Sequence, residues 1–178
     1  MTPPRDPDKM IRVPNVSGMS IGRIVCGGQS GVDRAALDVA IALGVCYGGW
    51  CPRGGWAEDM PEPPGLLVSY PELDETPAAD PEQRTRWNVR DSDATLILTA
   101  PQVVSAGTAL TLAAAMELGR ELAVIDVARP EPGLRDSLDL LAALPGDGSL
   151  NVAGPRESEA PGIYEATVMV LASLLESA

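Results

Sequence analysis

Three short stretches rich in glycine and hydroxyl residues carry the groups best suited to grip an anion. The first is Cys26-Gly27-Gly28-Gln29-Ser30-Gly31-Val32-Asp33-Arg34. Glycines let the backbone approach a ligand, a helix N-terminus behind them adds partial positive charge, and Ser30 offers a hydroxyl. The second is Ser105-Ala106-Gly107-Thr108, again at the mouth of a helix. The third is Asn151-Val152-Ala153-Gly154-Pro155-Arg156-Glu157-Ser158, where Arg156 is suited to clamp an anion in bidentate fashion. Alone, each reads equally well as a tight strand-to-helix turn that binds nothing. Together, at matching edges of one sheet, they point to an anion or nucleotide pocket with Gln29, Ser30, Gly31, Gly107, Thr108 and Gly154 as donors.

Further charge comes from Arg34, Arg53 and Arg84. Arg84, Asn88 and Asp91 stand at i, i+4, i+7 and form one polar stripe, which is either a ligand face or a solvated one. Between Arg53 and Arg84 the composition shifts: residues 54–83 hold eight acids, six prolines and no Lys or Arg. That segment reads as a proline-stiffened connection, or as a lid beside the ligand. Its Glu58 and Asp59, with Asp33 of the first stretch, are the candidate catalytic carboxylates.

Composition excludes other chemistries. No histidine is present, which removes Ser-His-Asp and Cys-His units and His-ligated zinc. With no Phe, three Trp and three Tyr, a base-stacking sheet surface is not supported. Thirteen bases against 25 acids give a net charge of −12, which disfavours nucleic acid and anionic membranes as partners. A small anionic ligand survives this, because local donors outweigh distant charge beyond a Debye length of about 8–10 Å. Cys26, Cys46 and Cys51 are too few for a structural zinc site and read as small hydrophobes, so no metal site is expected.

The elements that must position these groups alternate as strand and helix, the βαβ signature of an open, mostly parallel sheet covered by helices on both faces. Strands are expected at Arg23–Gly28, Val45–Gly49, Leu66–Tyr70, Ala94–Thr99, Leu122–Val127 and Leu150–Ala153. Helices are expected at Val32–Leu43, ended by Gly44, and at Pro81–Asp91, started by Asp80. Three more follow at Thr108–Leu118, Gly133–Leu144 and Ile163–Leu175. The proline-rich residues 1–20 read as a flexible arm, and 21–178 as one Rossmann-like ligand-binding domain of a size that buries roughly 70% of its unfolded surface. The uncharged run Ala94–Met116 is 23 residues long, but Pro101, Gln102, Ser105 and Gly107 break it, so a soluble cytoplasmic protein is expected. The helix Thr108–Leu118 is apolar all round, which predicts burial on every side and a homo-oligomer built on it.

The motifs also carry a resemblance. Gly27 to Arg34, Gly49-Trp50-Cys51-Pro52-Arg53-Gly54, Ala57-Glu58-Asp59, Arg84-Thr85-x-Trp87-Asn88-Val89-x-Asp91-Ser92-Asp93, Gly107-Thr108 and Asn151 to Ser158 together resemble the bacterial molybdenum carrier family, in order and over about residues 21–178. The resemblance implies a Rossmann-like fold related to the lysine-decarboxylase-like phosphoribohydrolases, assembly into oligomers, and binding of molybdate or molybdenum cofactor. Those hydrolases cleave nucleoside monophosphates with a P-G-G-x-G-T-x-x-E signature. Here Gly107-Thr108 matches, Val104, Ser105 and Ala106 replace Pro-Gly-Gly, and Thr111 stands at the glutamate position. Thr111 has no carboxylate for acid–base work.

The leading expectation is therefore a binding protein for an oxyanion or phosphorylated ligand: molybdate, molybdenum cofactor, a nucleotide or phosphate. None of these is expected to be needed for folding. A hydrolase of nucleoside monophosphates using Asp33, Glu58 or Asp59 is the alternative, and a nucleotide-sensing interaction module is a third.

Overall fold

Ala94–Thr99 is five-sixths buried, as its apolar sequence requires, and it anchors a six-stranded sheet in the computed structural model, which describes residues 21–177. The strands are β1 (Ile21–Val25), β2 (Cys46–Cys51), β3 (Leu73–Glu75), β4 (Ala94–Thr99), β5 (Glu121–Asp126) and β6 (Gly148–Ala153). The helices are α1 (Val32–Leu43), α2 (Pro81–Arg90), α3 (Ala106–Glu117), α4 (Glu131–Ala143) and α5 (Ile163–Ser177). The expected flexible arm, 1–20, lies outside the described residues.

The strand order is β3-β2-β1-β6-β4-β5, and all five pairings are parallel. Right-handed crossovers then place α1 and α4 on one face and α2 and α3, which pack together, on the other, and α5 joins the first face by packing on α1 and α4. The main core lies under the first face, where Ile24, Leu96, Leu98, Leu150 and Val152 meet Val32, Ala36, Leu141, Leu171 and Leu174. Were the unit β6–α5 moved to the front of the chain, the central five strands would read 3-2-1-4-5, the doubly wound order, with β3 added at one edge.

Local signals behave as their chemistry dictates. Gly44 ends α1 in the left-handed conformation, and Asp80 caps α2 by accepting the Glu82 N–H at 2.9 Å. Three expectations are corrected. Leu66–Tyr70 is not a strand: Gly65–Val68 forms a 3-10 turn that packs Leu66 into a second core with Cys26, Leu37 and Tyr70, and the third strand is Leu73–Glu75. Helix α3 is not buried on every side of the chain; Thr111, Ala114 and Ala115 face inward, while Leu112 and Met116 are exposed. Cys26 and Cys51 are buried as expected, but Cys46 is exposed. Among the described residues, no helix is long and apolar enough to cross a membrane.

Candidate functional site

The loop from β1 to α1 sits directly against the loop from β6 to α5. Val32 N–H donates to Pro155 O at 3.2 Å. Gly31 has φ 78°, and a Cβ there would come within 2.6 Å of Pro155 O, so glycine is required both by conformation and by the neighbouring backbone. Gly154 is confined by contact alone, between the Leu98 carbonyl and Val32. These contacts fix Ser30 and the 156–158 backbone at the carboxyl edge of the two central strands, where open parallel sheets bind ligands.

At that junction several donors converge on one carboxylate, that of Glu58. Ser158 Oγ donates to it at 2.6 Å and Ser158 N–H at 3.3 Å. Ser30 Oγ donates to the same carboxylate and itself accepts the Glu157 N–H at 3.2 Å. Arg156 lies 3.8 Å away and also approaches Glu159. Gln29 Oε1 accepts the Glu58 N–H at 2.9 Å, which pins the incoming segment. Burial acts to raise the Glu58 pKa, but the hydrogen bonds from Ser158 and Ser30 and the charge of Arg156 prevail, so it lies below the usual glutamate value.

A hollow of 410 Å³ opens beside this cluster, lined by Ser30, Gly31, Arg34, Asp38, Asp59, Met60, Ser69, Tyr70, Glu157 and Tyr164. Arg34 forms a two-armed pair with Asp59 at 2.9 and 3.0 Å, reaches back to Gly28 O, and lies over the Tyr70 ring. Asp38 accepts hydroxyl bonds from Tyr70 and Tyr164, both at 2.8 Å. Glu157 accepts the Gly162 and Tyr164 N–H groups at the start of α5. The sequence reading missed Asp38, Tyr70, Tyr164 and Ser158. Arg34 and Asp38 stand one turn apart on α1, in step with Ser30 in the loop before it, so Asp38 had a legible signal; the tyrosines come from distant segments and had none.

Other expected site residues lie elsewhere. Asp33 is buried beneath the glycine loop, 3.1 Å from Arg84 Nη1, and the Gln29 and Gly27 N–H groups also bond it. Burial raises its pKa, against the pull of Arg84 and those amides. Arg84 fills the space above Gly27, and Gly28 packs on Leu66 and Leu73. Asn88 spends its amide on the backbone of Trp50, accepting from its N–H at 2.7 Å and donating to its carbonyl at 3.0 Å. Arg53 is exposed beyond the end of β2, and among the described residues its guanidinium bonds none of the Glu58 cluster.

The second stretch, at Ser105–Thr108, borders a different hollow. Ser105 caps α3 by accepting the Thr108 N–H at 3.3 Å. Ser105 and Thr108 line an apolar space of 310 Å³ with Val103, Val104, Ala109, Leu112, Val124, Pro155 and others. Gly107 is exposed, and its carbonyl accepts the Thr111 hydroxyl at 3.0 Å. The first and third stretches thus share one site, and the second borders a separate hollow.

Known proteins of this architecture narrow the picture. A model of the circularly permutated YpsA SLOG family matches residues 24–175. A crystal structure from Syntrophus aciditrophicus SB, described as a "Putative molybdenum carrier protein", is 36% identical, covers 88% of this chain and 96% of its own, and superposes with a TM-score of 0.74. No curated protein matches. The strand order, with the last βα unit where a doubly wound sheet has its first, is what a permuted Rossmann-like chain must show, and the chain belongs to the circularly permutated YpsA SLOG family.

Proposed function

We propose that this protein binds a small anionic ligand where the β1–α1 and β6–α5 loops meet. The observation that carries the reading is the convergence of Ser30 Oγ, Ser158 Oγ, Ser158 N–H and Arg156 on one carboxylate. An oxygen of molybdate, of phosphate or of a phosphorylated cofactor accepts hydrogen bonds as a carboxylate oxygen does, so the donor set fits each of them. The name of the Syntrophus relative favours a molybdenum ligand. The 410 Å³ hollow falls in the range that holds whole organic ligands, which keeps molybdenum cofactor and nucleotides beside bare molybdate.

Binding is favoured over bond cleavage by the state of the carboxylates. Glu58 is held ionised by its donors, Asp59 is paired with Arg34, and Asp33 is buried under the loop. The Thr111 hydroxyl is spent on its own helix. No one of these is a free acid poised for protonating a leaving group.

Calorimetric titration with molybdate, inorganic phosphate and AMP tests the reading. Saturable binding that weakens in Arg156→Ala is expected. Absence of heat for all three with folded protein overturns it, and release of free base from AMP would replace it with the hydrolase reading.

Assembly into a homo-oligomer completes the proposal. Leu112 and Met116 expose 40% and 73% of their surface on α3, next to exposed Val104 and Val124. A second copy of this apolar face is a natural cover for it.

A further inference from the structure

The Glu58 carboxylate accepts hydrogen bonds from both loops of the site, yet it arrives from outside it. It belongs to the acidic, proline-rich segment between β2 and β3, and its donors belong to the β1–α1 and β6–α5 loops. Three hydrogen-bond donors meet it, two hydroxyls and one backbone N–H, and a guanidinium nitrogen of Arg156 stands 3.8 Å away as an ion pair. That is more than a surface bridge between two loops needs, and it is the donor pattern of an oxyanion seat. The segment carrying it is held separately, through Gln29 Oε1 on the Glu58 N–H and through the Arg34–Asp59 pair. The backbone of that segment thus has anchors that do not depend on the Glu58 carboxylate. The hollow beside Ser30 and Glu157 opens next to the seat.

We propose that Glu58 occupies the ligand's own oxyanion seat, and that a tetrahedral oxyanion, free or as a terminal phosphate, binds by exchanging with this carboxylate at Ser30, Ser158 and Arg156. The proposal rests on the anion-binding reading above and adds the exact seat and its internal competitor. A tethered competitor lowers apparent affinity by the fraction of molecules in which it has left. A dianion gains over it, because it brings more charge to the same donors.

The test compares wild type, Glu58→Gln, Glu58→Ala and Glu58→Ala/Ser158→Ala by calorimetry, with molybdate, inorganic phosphate and AMP as separate probes. A melting curve for each variant checks folding. Removing the competing charge is expected to tighten binding of at least one probe by about tenfold, and adding Ser158→Ala is expected to reverse much of the gain. Acetate is expected to raise the melting temperature of Glu58→Ala and to leave wild type unchanged, since it refills the emptied seat. Molybdate binding alone identifies a bare oxyanion as the occupant; preference for AMP identifies a terminal phosphate. Wild-type binding that is unchanged or weaker in both Glu58 variants overturns the exchange and leaves the anion site standing. No binding of any probe to any folded variant removes both.

Discussion

Glu58 stabilises the folded chain only while it is ionised. Burial opposes that charge, and the Ser158 and Ser30 hydrogen bonds with Arg156 more than offset it, so the folded-state pKa lies below the unfolded value of about 4.3. The stabilisation is then fully present above the unfolded value and is lost as pH falls through the folded one. Urea denaturation is expected to show Glu58→Gln less stable than wild type at pH 6, with the gap closing as pH drops through the acidic range. The same substitution that loosens the fold is expected to tighten anion binding. Asp33 behaves differently, being buried with Arg84; Asp33→Asn leaves a guanidinium uncompensated and is expected to cost about 3 kcal/mol in denaturant titration. At this scale the glycine loop was legible because its residue types have few other uses. The role of Asp33 was not, since a carboxylate under a loop and one facing a ligand look alike in sequence.

Helix α3 depends on its cap. Ser105 accepts the Thr108 N–H and sits buried at the mouth of the helix, so Ser105→Ala is expected to lower stability by about 1 kcal/mol in thermal or urea unfolding. The span of α3 was readable from its apolar periodicity, but periodicity does not say which of two apolar faces meets its own chain. Here Ala114 and Ala115 pack with Val89 of α2, and Met116 faces out. The stripe Arg84–Asn88–Asp91 was likewise visible, and its meaning emerged only from its neighbours. Arg84 pairs with Asp33, Asn88 bonds the Trp50 backbone, and Asp91 accepts the Trp50 indole N–H at 2.8 Å, so the stripe clasps α2 to α1 and β2. The short apolar run at Leu66 was ambiguous between strand and turn, and β3 has a single buried apolar residue, Leu73, to announce it.

For the molecule as a whole, the alternation of strands and helices made the parallel α/β class legible, whereas the strand order was not. Nothing in the spacing of Leu150–Ala153 says that this late strand enters the middle of the sheet. The exposed α3 face leads to a prediction at this scale: light scattering is expected to give an oligomer for wild type, and Met116→Glu with Leu112→Glu is expected to shift it toward monomer. The position of β6 has a further consequence, for biosynthesis. Both β1 and β4 pair with β6 and not with each other, so until it emerges the nascent polypeptide holds two half-sheets, β3-β2-β1 and β4-β5, with an open seam between them. A chain stopped after Leu144 is expected to melt without a cooperative transition and to exchange its amides freely. The emergence of β6, after the five strands it joins, is the step that closes the seam.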